Sequence, residues 1–396
     1  MDLGFLTPLY ERPGPWATVY VTAASATEDT AARQELLARD TGDRLAAQGA
    51  DERTRQAVVD ALRAGNGEQH AAGRAVFAAG GEVVLDRVLP AAPAGGMPDV
   101  TWAPLPHLVP LVDLAEAEPT CLLARVDRMG ADFELRGPLG TEQVGGVNGD
   151  DWPLHRTADK DWSERKFQNA VENTWERNAA TVAEELTACL QRTGAQLVVL
   201  AGEQRECVAV RDRLPEPVRH TAHLAEHGVR RPGNNAAAGE ELLDRELAAL
   251  RTGYVQRHAA EAMDRFRAGR GRGEDGHVDA AEGVPALVEA AQEHRIAQLL
   301  LRPDGPDLAR EVWVGAEPGQ IALRRTDAKA LGTAEPVAAR ADDALLRVAA
   351  ATGADVLSVR PLTDPEGTGD NVPDEPSGGL GAVLRWPYQG EEAVAS

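Results

Sequence analysis

The stretch Trp162-Ser163-Glu164-Arg165-Lys166-Phe167-Gln168 decides how this chain is organised, because it begins a long helix directly after a polar loop. Asp161, three residues before Glu164, predicts an acidic capping box at the helix start. Apolar residues then recur about every 3.5 positions, as on the buried face of a helix: Phe167, Val171, Trp175, Val182, Leu186 and Leu190. Gly194 predicts the helix end after Thr193. Such a helix spans roughly 45 Å and can carry a loop away from a domain body.

Length and charge limit the classes of protein to which the chain can belong. With 396 residues, it is long enough for two or three domains, each with its own core. Its net charge of -22 argues against DNA binding or indiscriminate coating of RNA, so any RNA contact must be local. Three cysteines without metal-ligand spacing fit a reducing compartment. We expect a cytoplasmic protein with no membrane segment, no cofactor and no metal.

The first predicted domain covers residues 1–118 and is an α/β unit. It contains a strand at 16–21, helices at 27–47 and 51–64, and a hairpin around Gly80-Gly81. The predicted boundary lies at Glu116-Ala117-Glu118-Pro119, where polar residues and a proline break the pattern.

The middle domain is predicted to cover residues 119–270. It opens with a hairpin, and after the loop and long helix it alternates strands at 197–200 and 218–224 with helices at 204–214 and 240–267. This alternation predicts a mainly parallel sheet. Gly269-Arg270-Gly271-Arg272-Gly273 follows a helix instead of a strand, so we interpret it as a linker and not as a dinucleotide loop.

The C-terminal domain is predicted to cover residues 271–396, again as an α/β unit. Its expected elements are helices at 284–294 and 341–352, strands at 298–302, 311–315 and 355–360, and a closing strand at 380–386. The loop at 364–379, rich in Gly, Pro and acidic residues, is expected to be mobile. The predicted fold class is therefore α/β, with three α/β domains in sequence.

The order of these units, and especially the hairpin, loop and long helix at 121–193, resembles the bacterial relatives of archaeal and eukaryotic class I release factors and of Pelota. Within that group it is similar to the actinobacterial branch related to the hibernation factor Balon. The most specific motif is the stretch 162–168 followed by Glu172-Asn173-Thr174-Trp175, which is similar to the start of the helix after the Gly-Gly-Gln loop of release factors. The resemblance implies a release-factor/Pelota-like domain order.

The Gly-Gly-Gln tip of release factors, which positions a water against the peptidyl ester, is missing here. The glycine pair nearest to the loop, Gly145-Gly146, is followed by Val147, which cannot hydrogen-bond a water. The resemblance therefore implies a ribosome hibernation factor of dormant, stressed cells that occupies the A site of the 70S ribosome without hydrolysing peptidyl-tRNA. The implied partners are large-subunit rRNA, the decoding centre and elongation factor Tu.

Two groups of residues are candidates for rRNA contact. Around the loop, aromatic planes and cations suit stacking on bases and pairing with phosphates; these residues are Trp152, His155, Arg156, Lys160, Trp162, Arg165 and Lys166. The alternative is an ordinary solvated loop, because neighbouring carboxylates offset the cations. The second group closes the later long helix: Arg265, Arg267, Arg270 and Arg272. These arginines would face phosphates, or would only complement the helix dipole.

Other clusters invite catalytic or metal interpretations. His220, His223 and His227 lack cysteines and the partners of a zinc site, so we expect no metal there. Asp127, Asp132 and Glu134 would suit a divalent ion in a nuclease-like sheet, although hairpin carboxylates are usually surface residues. The alternative function is therefore an enzyme of ribosome rescue, either a peptidyl-tRNA hydrolase with a different tip or a tRNA-directed nuclease. The missing glutamine favours a non-enzymatic factor.

Overall fold

The structure is a computed structural model that describes residues 6–12, 14–22, 30–65, 72–89, 92, 98–117, 119–137, 140–148, 162–228, 236–271, 278–359 and 375–388. Within these ranges, the side chains of 7, 30, 115–117, 162–174, 236–237 and 387–388 are not described. By compactness the chain forms two units: Met1–Glu116 together with Gln256–Ser396, and Ala117–Val255. The division into three domains at 119 and 271 stays a prediction.

The N-terminal part of the larger unit is built on one antiparallel sheet. Its elements are α1 (Thr7–Tyr10), β1 (Trp16–Thr22), α2 (Thr30–Ala47), α3 (Glu52–Ala64), β2 (Gly73–Ala79), β3 (Glu82–Leu89), β4 (Asp99–Ala103) and α4 (Val109–Ala117). The strand order is β3-β2-β1-β4. The predicted hairpin around Gly80-Gly81 is confirmed, whereas β4 was not anticipated. Residues on both faces of β1 are buried, so the sheet is covered on both sides.

The smaller, middle unit has a mixed sheet between helices. Its elements are β5 (Cys121–Asp127), β6 (Gly130–Gly137), β7 (Gly140–Asn148), α5 (Trp162–Thr193), β8 (Leu197–Gly202), α6 (Gln204–Arg211), α7 (Glu216–Thr221), β9 (His223–Leu224) and the first part of α8 (Ala236–Arg270). In the order β7-β6-β5-β8-β9, β5, β6 and β7 pair antiparallel, while β8 is parallel to β5 and β9 to β8.

Two expectations for the middle unit are wrong. The sheet is not mainly parallel, because β7 adds a second antiparallel pairing that the glycine-rich and polar sequence of 140–148 did not indicate. Residues 218–224 are not one strand, because a helical turn with Pro217 near its start occupies 216–221 and leaves two residues for β9.

The two faces of the middle sheet bury different helices. On one face, α5 and α6 pack Val182, Leu186 and Val210 against Leu122 and Ala124. On the other face, α8 contributes Leu243 and Leu247, which contact Cys121, Leu123, Val199 and Ala201. The alternation of these residues along β5 follows the period of two in a strand. The helices α5 and α6 therefore lie on one face of the sheet and α8 lies on the other.

The C-terminal part completes the larger unit with a mixed sheet. Its elements are β10 (Val278–Glu282), α9 (Gly283–Gln292), β11 (Ile296–Leu301), β12 (Glu311–Val314), β13 (Ile321–Ala322), α10 (Arg325–Ala330), β14 (Val337–Arg340), α11 (Ala341–Thr352), β15 (Asp355–Ser358) and β16 (Leu380–Tyr388). The main sheet has the order β10-β16-β11-β15 and a small sheet the order β13-β12-β14. The last part of α8 packs Phe266 against Leu300 and Leu357.

One apolar core joins the N-terminal and C-terminal parts of the larger unit. It includes Tyr20, Leu108 and Leu111 from the N-terminal part, and Leu345 and Val348 from the C-terminal part. Of the loop predicted at 364–379, residues 364–374 lie outside the described residues. Its end is hydrogen-bonded, since the Arg302 backbone N–H donates to the Gly379 carbonyl at 2.9 Å.

Candidate functional site

The predicted site is the loop between β7 and α5, and the structure describes the elements on both sides of it. β7 ends at Asn148, which pairs with Gly130 at the start of β6, and α5 begins at Trp162. The predicted loop contacts Trp152, His155, Arg156 and Lys160 lie outside the described residues. Trp162, Arg165 and Lys166 lie in the first turns of α5, and their side chains are not described. Their contacts with rRNA stay predictions.

The helix α5 is anchored at what we call the hairpin edge, the end of the middle sheet formed by the β5–β6 turn at 127–130 and by Asn148. The Asn178 side-chain amide donates a hydrogen bond of 3.1 Å to the backbone carbonyl of Arg128. Asn178 is only 6% exposed. Among the described side chains of α5, those in the apolar core of the middle unit begin at the next residue, Ala179. Asn178 therefore fixes α5 to the sheet at the hairpin edge.

From the hairpin edge, α5 runs back along the sheet to Thr193, after which Leu197 of β8 pairs with Cys121 at the start of β5. Residues 162–177 precede Asn178, so they continue past the hairpin edge. At 1.5 Å per residue, this part of the helix is roughly 24 Å long. The start of α5 therefore lies beyond the hairpin edge.

Side chains from α6 brace the helix just before its anchor. The guanidinium of Arg205 lies over the ring of Trp175, 4.4 Å from the centroid. After the end of α6, Arg213 also contributes, with its Nη2 4.0 Å from Glu176 Oε2. Cation–π contacts at exposed positions contribute about 0.5–1 kcal/mol each. These contacts limit lateral movement of the helix where it leaves the sheet.

The β5–β6 turn is itself fixed by ion pairs to the start of α6. Arg128 donates from Nε to Glu206 Oε1 at 3.0 Å and from Nη2 to Glu203 Oε2 at 3.1 Å. The hydrogen bonds that Arg128 donates to these two carboxylates raise its pKa, so it stays charged. Glu206 is 2% exposed, and a buried carboxylate needs such a partner. The carbonyl that receives the Asn178 bond is therefore held rigidly.

Two glycines allow the backbones of neighbouring strands to approach each other closely at the hairpin edge. A Cβ at Gly130, whose φ is 147°, would lie 1.9 Å from the Val147 carbonyl oxygen. A Cβ at Gly202, whose φ is 151°, would lie 2.1 Å from the Val126 oxygen. No local sequence pattern predicted this edge. The available signal was the polar Asn178, three residues after Trp175 and four before Val182, on the apolar stripe of α5.

The glycine pair Gly145-Gly146 is not part of a loop tip. Gly145 pairs with Phe133 and Gly146 with Asp132 in the β6–β7 ladder, so Val147 is a strand residue too. The comparison of this pair with a release-factor tip is therefore corrected. The loop itself, residues 149–161, reads Gly-Asp-Asp-Trp-Pro-Leu-His-Arg-Thr-Ala-Asp-Lys-Asp and contains no glutamine.

The described arginines of the second candidate group all have partners within the larger unit. Arg265 Nη2 donates to Gln298 Oε1 at 3.0 Å, and Arg267 Nη1 donates to Asp264 at 2.9 Å. Arg270 Nε lies 3.0 Å from Glu282, with its guanidinium 5.5 Å from the Phe266 ring centroid. Arg272 lies outside the described residues. Contact of these arginines with phosphate stays a prediction.

The carboxylates and histidines of the middle unit serve as internal partners. Glu134 is bonded by Arg136 and lies 3.6 Å from Arg125, and Asp127 accepts a hydrogen bond of 2.8 Å from the Met129 backbone. His223 and His227 share Glu246, at 2.9 and 3.5 Å, and His220 lies 3.8 Å from Glu216.

Comparison with known proteins places the middle unit in a family. Residues 120–272 match the family model of the bacterial archaeo-eukaryotic release factor family 2. An uncharacterized protein of Mycobacterium tuberculosis is 27% identical over 386 residues, which cover 96% of this chain and 95% of the relative.

Solved structures of similar proteins include two archaeal Pelota proteins. Pelota of Archaeoglobus fulgidus is 16% identical, covering 80% of this chain and 81% of its own, with a TM-score of 0.31. Archaeal Pelota from a ribosome-bound assembly is 14% identical, covering 98% and 96%, with a TM-score of 0.38. The family match thus covers residues 120–272, and this part of the chain, which includes the middle unit, is similar to the bacterial archaeo-eukaryotic release factor family 2.

Proposed function

We propose that this protein is a ribosome hibernation factor that binds the A site of the 70S ribosome and places the loop 149–161 in the peptidyl transferase centre without hydrolysing peptidyl-tRNA. The observation that carries this proposal is the combination of the family match over 120–272 with the projecting start of α5. Membership in the actinobacterial branch related to Balon is part of the same proposal.

The geometry of α5 supports insertion of the loop into a narrow site. A helix fixed at Asn178 and braced at Trp175 holds its start at a defined distance from the sheet. A loop held in this way loses less conformational freedom on binding than a free segment does. The loop could therefore reach a recessed site while the unit body stays outside it.

The chemistry of the loop supports occupancy instead of hydrolysis. It offers an indole, an imidazole and two cations, at Trp152, His155, Arg156 and Lys160, which suit stacking and phosphate contact. It offers no Gly-Gly-Gln with which to position a water, and that tripeptide occurs nowhere in the chain. We propose contacts with large-subunit rRNA at the loop, with the decoding centre elsewhere on the protein, and delivery by elongation factor Tu.

The first experiment measures binding to 70S ribosomes by pelleting through a sucrose cushion at increasing salt. Binding should weaken as salt rises, because phosphate contacts release counterions. Replacing Trp162, Arg165 and Lys166 together by Ala should lower the affinity by at least about tenfold, since each stacking contact is worth about 1–3 kcal/mol. The matched control is Arg245→Ala on the far face of the middle sheet, where Arg245 is 67% exposed and pairs with Glu241.

The second experiment tests where the loop lies. The bound protein should block the reaction of puromycin with peptidyl-tRNA, and the triple variant should release this block. Unchanged ribosome affinity of a triple variant with a normal thermal melt would overturn the proposed role of the loop. Cleavage of peptidyl-tRNA or tRNA by the pure protein would instead favour the alternative, a hydrolase or nuclease in ribosome rescue.

A further inference from the structure

A buried polar cluster connects the N-terminal and C-terminal parts of the larger unit. His107 precedes α4, Arg340 ends β14, and Asp342 and Asp343 lie in the first turn of α11. Asp342 and Asp343 are 0% and 1% exposed, and His107 is 9% exposed. Their neighbours in the chain, such as Leu108, belong to the apolar core shared by both parts. Water therefore does little to stabilise charges in this cluster.

The hydrogen bonds in the cluster leave one carboxylate incompletely paired. His107 Nδ1 lies 3.0 Å from Asp343 Oδ1, and the Leu108 backbone N–H donates to the same oxygen at 3.4 Å. Arg340 Nε donates to Asp342 Oδ1 at 3.0 Å but lies 3.6 Å from Asp343 Oδ2. That Oδ2 is buried and accepts no hydrogen bond from the residues that the structure describes. Asp343 thus depends on His107 for its strongest contact.

The charges of the cluster do not balance without one more positive charge. Two carboxylates, Asp342 and Asp343, face one guanidinium, that of Arg340. The surrounding elements contribute Arg347 from α11 and Asp99 from β4, whose charges oppose each other, and two buried phenols, Tyr10 and Tyr20. With a neutral imidazole, the group carries a net charge of about -1, which is costly to bury.

A proton balances the net charge of this cluster better than a divalent metal ion does. The imidazole nitrogen and one oxygen of each aspartate lie within 4.8 Å of one another, close enough to hold a cation. A divalent ion would reverse the net charge from about -1 to +1 and would lie beside the Arg340 guanidinium. One proton brings the net charge to zero and also turns the short His107–Asp343 contact into a charge-assisted hydrogen bond.

We infer that the pair His107–Asp343 is a proton-dependent latch between the N-terminal and C-terminal parts of the larger unit, which tightens as the pH falls. The two residues are separated by 236 positions in the chain, so their contact exists only when the two parts are packed together. Proton uptake on closing therefore links the packing of these parts to pH. This is a regulatory device independent of the loop and of ribosome binding.

The ionisation of both residues agrees with this direction. Burial raises the pKa of Asp343 to about 6, against an opposing effect of the His107 hydrogen bond. Burial alone would lower the pKa of His107, but the hydrogen bond and charge of Asp343 outweigh it and raise that pKa above 6.5. Since both folded-state pKa values exceed the unfolded ones, the latch's contribution to stability is lost as pH rises through them.

The test follows the 396-residue protein by NMR and by urea unfolding between pH 5.5 and 8. The His107 imidazole, assigned from the His107→Gln spectrum, should titrate above 6.5, and Asp343→Asn should lower that midpoint. The equilibrium constant for folding of the larger unit should rise at least about tenfold from pH 8 to 5.5, more than in either variant. His220→Gln is the matched control, because His220 is 71% exposed on the middle unit.

Two results would overturn the latch. One is a His107 titration at the ordinary value that Asp343→Asn leaves unmoved. The other is stoichiometric binding of Zn²⁺ by the wild type that His107→Gln abolishes, which would make the cluster a cation site. If Asp343→Asn does not fold, the wild-type His107 midpoint and the His107→Gln unfolding curves still decide the outcome.

Discussion

The side-chain amide of Asn178 donates a hydrogen bond to the backbone carbonyl of Arg128, and this bond joins the long helix α5 to the turn of the first hairpin in the middle unit. A single polar residue on an apolar stripe can bond in only one register of the helix on the sheet. The Asn178–Arg128 bond therefore sets how far α5 extends beyond the hairpin edge. It thereby also sets the distance between the sheet and the start of α5, where the predicted loop ends.

Replacing Asn178 by Ala should destabilise the middle unit by about 1–3 kcal/mol, because it removes the hydrogen bond that the buried Asn178 amide donates to the Arg128 carbonyl. Urea unfolding measures the loss. The control is Thr181→Ala on the same helix, whose hydroxyl donates only to the Arg177 carbonyl of its own turn. Equal stability of the two variants would contradict the anchoring role of Asn178.

The buried stripe of α5 should be sensitive to truncation. Leu186 is 0% exposed between α5 and the sheet, so Leu186→Ala should cost about 2–5 kcal/mol through lost contacts and a cavity. Glu184→Ala, on the exposed face of the helix, should change stability by less than about 0.5 kcal/mol. Thermal melts of both variants provide the comparison, and a mild effect at Leu186 would place the helix differently on the sheet.

The ion-pair network on the α8 face depends on Arg136. Its guanidinium bonds Glu134, lies 2.8 Å from Glu240 and lies 2.6 Å from Asp244. Arg136→Met should destabilise the middle unit by about 3–5 kcal/mol, because the buried Glu134 loses its main partner. Adding Glu134→Gln should recover part of this loss, and a double-mutant cycle by urea unfolding measures the coupling. Additive effects would show that the two side chains do not depend on each other.

The middle unit should lose stability in acid, in contrast to the latch of the larger unit. Burial would raise the pKa of Glu246, but hydrogen bonds from His223 and the Glu226 backbone, together with the His227 imidazole 3.5 Å away, outweigh it and lower that pKa. A depressed carboxylate pKa stabilises the fold above the unfolded value of about 4.3, and this contribution disappears as the pH falls through the folded pKa. Hydrogen exchange between pH 3 and 6 should show the loss around 223–228, and Glu246→Gln should reduce its pH dependence.

Two glycines of the middle unit should respond oppositely to alanine. At Gly239 in α8, an added Cβ meets no atom within 4 Å, so Gly239→Ala should stabilise by up to about 1 kcal/mol. At Gly130 the added Cβ would collide with the Val147 carbonyl, so Gly130→Ala should lower the melting temperature and disturb the β6–β7 pairing. A stable Gly130→Ala variant would argue against this close approach of the strands.

Local signals predicted many elements well. The helix expected at 341–352 is α11, and α5 ends at Thr193 with Gly194 at a φ of 62°. The hairpin at Gly80-Gly81 also lies where it was expected. In each case a cap, a glycine turn or an apolar period acts within a few residues, so the neighbouring sequence carries the information.

The strand β7 is an element that such local signals did not predict. Its residues are mostly exposed at the sheet edge and include Gly145 and Gly146, so neither alternation nor apolar content marks it as a strand. The strand forms through its pairing with β6. Because of this pairing, the glycine pair lies in the sheet and not at a loop tip. This pairing adds a second antiparallel neighbour to a sheet that the antiparallel β5–β6 pair and the parallel β5–β8 pair already make mixed.

The sequence by itself determined the long helix after a polar loop, the residues that the loop can offer to RNA and the lack of a Gly-Gly-Gln tip, because these are properties of short stretches of chain. Only the tertiary structure decided that Asn178 meets Arg128 and that His107 meets Asp343, across 50 and 236 positions. Such contacts depend on how buried faces pack, and packing places residues together that no local period or cap relates.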